Sequence, residues 1–172
     1  MTVAEAVADW LAEKGVRHVF GIIGAGNLAL WNAIAAKGAE TEIVCCHHEQ
    51  AAAMAASFYS RTSGRVGVCL VTTGAGSTNA ITGVMAAYMD STPLLVISGN
   101  ETAASLEGDT RVLGVQGYES ALLAIEFTKL SARITTPHDP LNFLNCAYDT
   151  ALHGRQGPCW IDIPRDVQVA AV

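Results

Sequence analysis

The sequence predicts an α/β fold: a single doubly wound, mainly parallel six-stranded sheet with helices on both faces. Three observations carry that expectation. Segments of helical and strand-like pattern alternate along the chain. The strands are continuous apolar runs, such as Pro93-Leu-Leu-Val-Ile-Ser98, and lack in/out alternation. That pattern marks strands covered on both faces. Glycines collect where strands end, in Gly24-Ala-Gly26 and Thr72-Thr-Gly-Ala-Gly76. In open parallel sheets ligands bind at those carboxyl ends.

Taken in order, Thr2 to Lys14 has helical spacing, with Val3, Val7, Trp10 and Leu11 on one face. Thr2 and Glu5 fit a capping box and Gly15 fits a stop. His18 to Ile23 is the first strand, and Asn27 to Lys37 a helix that stops at Gly38. Glu42 to Cys46 reads as a strand, Glu49 to Thr62 as a helix ending before Gly64, and Arg65 to Val71 as a strand. Ser77 to Met89 is helical and Pro93 to Ser98 is the fourth strand. Residues 99–118 read as a long loop, and loops of that length usually serve function. Glu119 to Ile125 is a short helix and Ser131 to Thr135 a strand. Asp139-Pro140 makes an N-cap and N1 pair for a helix to His153. Pro158 to Ile163 is the last strand, and residues 164–172 read as a tail.

The chain of 172 residues has room for one domain, 1–172, with a real core. Apolar residues make up 51% and charged residues only 15%, which suggests that a partner covers part of the surface. A net charge of −6, with no basic cluster, argues against nucleic acid and anionic membrane surfaces. No run approaches the roughly 18 apolar residues of a membrane span, and the N-terminus lacks the pattern of a signal peptide. A cytoplasmic protein is expected. Of five cysteines, Cys45, Cys46, Cys69 and Cys159 fall in apolar strand-like runs, and the expectation is buried, reduced thiols. Cys45-Cys-His-His48 is not a metal site, because consecutive strand residues point to opposite faces.

Two features could carry chemistry. Gly24-Ala-Gly26-Asn-Leu-Ala29 follows a strand and opens a helix, matching the dinucleotide-binding pattern. Glu49, past the second strand, stands where that fold keeps its ribose-binding acid. A nicotinamide- or flavin-binding domain is therefore one reading, although it leaves the second glycine turn unexplained. The other feature is Glu49 itself. A glutamate in a first helical turn is often no more than a partner of the helix dipole. This one sits at a strand's carboxyl end, in the same layer as both glycine turns, where three loops could build one cleft.

His47-His-Glu-Gln-Ala-Ala-Ala-Met-Ala-Ala-Ser-Phe-Tyr-Ser-Arg61, Thr72-Thr-Gly-Ala-Gly-Ser-Thr-Asn79 and Gly157-Pro-Cys-Trp-Ile-Asp-Ile-Pro-Arg-Asp-Val167 stand in order over nearly the whole chain. Together they resemble the N-terminal pyrimidine-binding (PYR) domain of thiamine-diphosphate enzymes, in the acetolactate synthase and 2-oxoacid decarboxylase group. The resemblance implies that Glu49 hydrogen-bonds the cofactor's pyrimidine nitrogen N1′. Sharing a proton there drives the 4′-amino group toward its imino form, so that the cofactor activates its own thiazolium carbon for attack on a 2-oxoacid. It implies cofactor contacts from Ile23, Gly24, Ala25 and Gly26, and from Thr72, Thr73, Gly74 and Asn79. It offers His48, Asn100 and Gln116 as substrate-pocket residues. The chain departs from the family in having Gly99-Asn100 where acetolactate synthases have Gly-Gln, and Ala75 where Pro is common.

The family holds the diphosphate through Mg²⁺ on a second, PP domain with a Gly-Asp-Gly signature, which this sequence lacks. The resemblance therefore implies no metal ligand in this chain and a PP-domain partner that carries the Mg²⁺. It also implies self-association of PYR subunits. The start at Met1 and the end soon after the last strand are expected of a split-gene subunit. A non-catalytic scaffolding relative is the third reading.

Overall fold

In the computed structural model, which describes residues 1–172, six strands alternate with eight helices. Helix α1 (Val3–Glu13) starts at a complete capping box. Thr2 Oγ1 accepts the Glu5 N–H at 3.2 Å, and the Glu5 carboxylate accepts the Thr2 N–H at 2.7 Å. Then come β1 (His18–Gly21), α2 (Leu28–Ala35), β2 (Glu42–Cys45) and α3 (Glu49–Ser63), which Gly64 ends in the left-handed region at φ 70°. β3 (Gly67–Val71), α4 (Ala75–Met89) and β4 (Leu94–Asn100) follow. The rest is α5 (Ala103–Leu106), α6 (Ser120–Ala124) with a 3-10 turn at Ile125–Phe127, β5 (Leu130–Arg133), α7 (Pro140–Leu152), β6 (Pro158–Pro164) and α8 (Arg165–Val169).

The strands form one all-parallel sheet in the order β2-β1-β3-β4-β6-β5. Its central strands are apolar on both faces. Val68 and Leu70 join the core under α1, α2 and α7, while Cys69 and Val71 join the core under α3, α4 and α6. β1 and β3 are neighbours, yet the helices that follow them, α2 and α4, lie on opposite faces. The chain thus leaves two adjacent strand ends in opposite directions. A crevice opens between the loops after β1 and β3.

Three expectations need correction. Gly99 and Asn100 belong to β4, not to a loop over residues 99–118, because they continue the ladder opposite Ile163 and Pro164 of β6. That segment also contains α5. Residues 164–172 are not a loose tail: α8 buries Val167 and Gln168, and Ala171 bridges to Thr2. Finally, all the cysteines are free, but Cys45 and Cys146 are exposed. Cys45 lies on β2, an edge strand paired on one side only, which explains why its apolar run is not covered. No helix is long and apolar enough to cross a membrane.

Candidate cofactor site

The first wall of the crevice is the loop from β1 to α2. Asn27 is fully buried and staples it. Its Oδ1 accepts the Gly24 N–H at 2.8 Å, and its Nδ2 donates to the Ile22 carbonyl at 3.0 Å. The Gly26 N–H donates to Thr72 Oγ1 at 3.0 Å, and the Gly26 carbonyl accepts from Gln168 Nε2 at 2.6 Å. The glycines are dictated by closeness. A Cβ on Gly24 would fall 2.5 Å from the Thr72 side chain, and one on Gly26 1.9 Å from Thr73 Oγ1. These bonds also decide against the dinucleotide reading. A phosphate cradle needs free amides, and those of Gly24 and Gly26 are spent within the protein. Ile23 and Ala25 stay exposed at the surface of this wall.

The second wall is the turn from β3 into α4. Thr73 Oγ1 donates to the Gly99 carbonyl at 3.4 Å, and Gly74 turns at φ 67°. Ser77 Oγ donates to the Gly74 carbonyl at 2.9 Å and meets the Tyr118 hydroxyl at 2.7 Å. With the one serine hydrogen committed to Gly74, the phenol is the donor to Ser77. Burial pushes the Tyr118 phenol up, against the opposing pull of the Ser77 bond. Gln116 is exposed and lies against Gly74, with its Cβ 2.8 Å from where a Gly74 Cβ would stand.

Glu49 lies where these walls meet. It is the first residue of α3, and only 9% of it is exposed. Its Oε2 accepts from Asn79 Nδ2 at 3.0 Å. Its Oε1 lies 3.4 Å from a Cβ built on Gly76, a Cβ that would also collide with Thr72 at 2.6 Å. Glycine at 76 therefore lets the carboxylate and Thr72 flank the same opening. Oε1 takes no hydrogen bond from the protein, so the arrangement can share a proton with a ligand at one defined oxygen.

The structure brings Gly24, Gly26, Glu49, Thr72, Thr73, Gly74 and Asn79 into this one crevice, with Gln116 at its edge. His48 is exposed and acts as the N-cap of α3, its Nδ1 accepting the Gln50 N–H at 3.2 Å. Asn100 is buried away from any opening: its Nδ2 donates to Asp162 at 2.8 Å and to the Tyr118 carbonyl at 3.0 Å, and its Oδ1 accepts the Glu101 N–H at 2.9 Å. It holds Tyr118 in place instead of lining a pocket.

Asn100 belongs to a network that the sequence reading did not single out. Asp162 is fully buried and accepts from Ser98 Oγ at 2.6 Å and from Arg133 Nε at 3.1 Å. Trp160 Nε1 donates to Ser98 at 2.8 Å. One signal was available, a lone acid inside the apolar run Cys159-Trp-Ile-Asp-Ile163. Lys129, without a role in the sequence reading, donates to the Thr150 and His153 carbonyls and caps α7.

Two grooves do not reach the carboxylate. One of about 630 Å³ runs between α1, α2 and α8, and one of about 450 Å³ lies between α2 and α8 and is bordered by Ala25; neither is lined by Glu49 or Thr72. Glu49 thus sits between the two glycine turns, outside both grooves. No three His, Cys, Asp or Glu side chains converge as a metal site would need.

The family model of the thiamine pyrophosphate enzyme N-terminal TPP binding domain matches residues 1–126. The chain is 37% identical over 174 residues to an acetolactate synthase of Arthrospira platensis, covering 100% of this chain and 29% of that protein. It is 36% identical to the acetolactate synthase isozyme 2 large subunit of Escherichia coli, across 99% of this chain and 30% of the relative. It is 34% identical to a probable acetolactate synthase large subunit of Methanocaldococcus jannaschii, across 96% and 27%. The chain therefore spans less than a third of the length of these relatives. The glycine turns, the half-buried crevice and the matched family model lead to one conclusion: this chain belongs to the thiamine pyrophosphate enzymes, as their N-terminal TPP-binding domain.

Proposed function

We propose that the chain provides the pyrimidine-binding half of the active site in a thiamine-diphosphate enzyme that decarboxylates a 2-oxoacid or transfers the resulting acyl group, a reading supported by its likeness to proteins named acetolactate synthase. The observation that carries this reading is the nearly buried Glu49, with one oxygen held by Asn79 and the other without a partner. The residues fit the pyrimidine half of the cofactor. Glycines 24, 26, 74 and 76 bring two backbone turns together without side chains to obstruct a flat ring, and Glu49 Oε1 offers a proton-sharing atom at its edge. When bound, the cofactor supplies the carbon nucleophile for a 2-oxoacid carbonyl. The chain's residues do the rest of their half. Glu49 Oε1 holds or releases the proton at N1′, the loop at 23–26 and the turn at 72–74 orient the ring, and exposed Ile23 covers the side nearest solvent.

The diphosphate and its Mg²⁺ are assigned to a PP domain that forms the missing wall of the crevice. Self-association of PYR subunits is assigned to the outer faces of α3 and α4, where Phe58 is 63% and Met89 60% exposed. Five unpaired cysteines support a reducing, cytoplasmic setting.

The test is Glu49→Gln in the chain assembled with its PP partner. Loss of a general acid–base group lowers turnover by roughly 10² to 10⁴, while assembly, read by size-exclusion chromatography, stays normal. Near-normal turnover in an assembled variant would overturn the catalytic assignment and favour a scaffolding role.

A further inference from the structure

Asn79 deserves a different role from the cofactor contact that the family resemblance assigns to it. We infer that Asn79 is a positioning residue: it donates to Glu49 Oε2 and thereby confines proton sharing to Glu49 Oε1. The inference rests on the proposed role of Glu49 and adds which oxygen acts and what selects it.

The bond of 3.0 Å from Asn79 Nδ2 is the carboxylate's sole hydrogen bond within the chain. An amide nitrogen has only hydrogens to give. An oxygen that receives such a bond cannot also direct a proton at the same nitrogen. With Oε2 engaged in this way, Oε1 is the oxygen left free to carry or share a proton with a ligand. The same bond fixes the carboxyl plane, so Oε1 keeps one direction as the proton moves.

The helix pair is shaped to make this bond. Asn79 lies on α4 between Gly76 and Gly83, three residues before and four after, which share its face. At Gly83 a Cβ would stand 2.7 Å from Ala53 Cβ and 3.1 Å from the Gln50 carbonyl of α3. At Gly76 it would stand 3.4 Å from Glu49 Oε1. With glycine on both sides, α4 approaches α3 closely enough for a short carboxamide to reach the first residue of α3. Asn79 itself is half-buried beneath that approach.

The experiment uses the chain assembled with its PP partner at saturating thiamine diphosphate and Mg²⁺. Asn79→Ala removes the donor, and Asn79→Asp keeps the shape but has no hydrogen to give. Three quantities are read: cofactor affinity by calorimetry, exchange of the cofactor's C2 proton by NMR, and kcat. Both variants are expected to slow C2 exchange and kcat by about 10- to 100-fold, the usual effect of removing a supporting partner of an active group. Cofactor affinity should stay within about threefold, and Asp should do no better than Ala. In a Glu49→Gln background, Asn79→Ala should change neither quantity further, because the residue acts through the acid. A large loss of affinity would make Asn79 a cofactor contact and overturn the inference. Wild-type exchange in Asn79→Asp, or full additivity with Glu49→Gln, would do the same. A Glu49→Gln enzyme with normal exchange would instead overturn the reading of Glu49, so the two failures are distinguishable.

Discussion

A glutamate at the first position of a helix ordinarily gains a few tenths of a kcal/mol from the dipole. Glu49 occupies that position, but its burial and its bond to Asn79 give it a second, more specific environment. Asp162 is the opposite case, an acid committed wholly to structure. It gathers Ser98, Asn100 and Arg133, and Arg133 also reaches Glu119 at 2.5 Å. Asp162→Ala leaves Arg133 with one partner in a site where it is 14% exposed. The expected loss is about 3 kcal/mol, the lower end of the range for breaking a buried pair, since Glu119 remains. Urea unfolding checks it, and Asp162→Asn, whose one carbonyl oxygen can still accept from Arg133 and Asn100, should lose less. Glu49 and the glycine turns were legible in the sequence because a lone carboxylate and a strand–glycine–helix junction are local signals. The Asp162 network was not, because its bonds join residues 29 to 64 positions apart. Asn100 was misplaced for the same reason: nothing near it in sequence announces Asp162 or Tyr118.

Element boundaries follow the same division. α1 was legible to within a residue, because Thr2 and Glu5 form their capping box locally. β4 was cut short at Ser98, since its last two residues are strand only through pairing with β6. α8 was missed because five residues hold no period, and its helix is fixed by burial of Val167 and Gln168. The pairing of α3 with α4 is likewise tertiary. Gly83 reads in isolation as a weak helix residue, yet it sets how close the two helices lie. Gly83→Val should cost roughly 1–3 kcal/mol by overpacking against Ala53 and the α3 backbone. A lower denaturation midpoint with an unchanged slope is the expected result.

Over the whole molecule, the predicted fold class matches the six-stranded parallel sheet with helices on both faces. Burial separates the cysteines. Cys159 is pushed up from 9.0 to about 11 and Cys69 higher still, both chiefly by desolvation. Unfolded thiols ionise first, so the stability held below about pH 9 should fall as pH rises toward 11. At about pH 8 a thiol reagent should label exposed Cys45 and Cys146 in the native chain, and Cys69 and Cys159 only after unfolding; mass spectrometry after digestion reads the pattern. The two faces of the sheet also differ in kind. Leucine, isoleucine and Trp10 fill the core under α1, α2 and α7, whereas α3 presses Ala52, Ala53 and Ala56 inward and carries Phe58 outward. α4 does likewise, with Ala80 and Ala87 inside and Met85 and Met89 outside. These two helices keep their bulkiest apolar groups on the wrong side for a solitary molecule. The self-association proposed for these faces would engage only the folded chain, so mass action would tie folding to concentration. Dilution alone should then lower the melting temperature, which makes thermal stability a property of the solution as well as of the sequence.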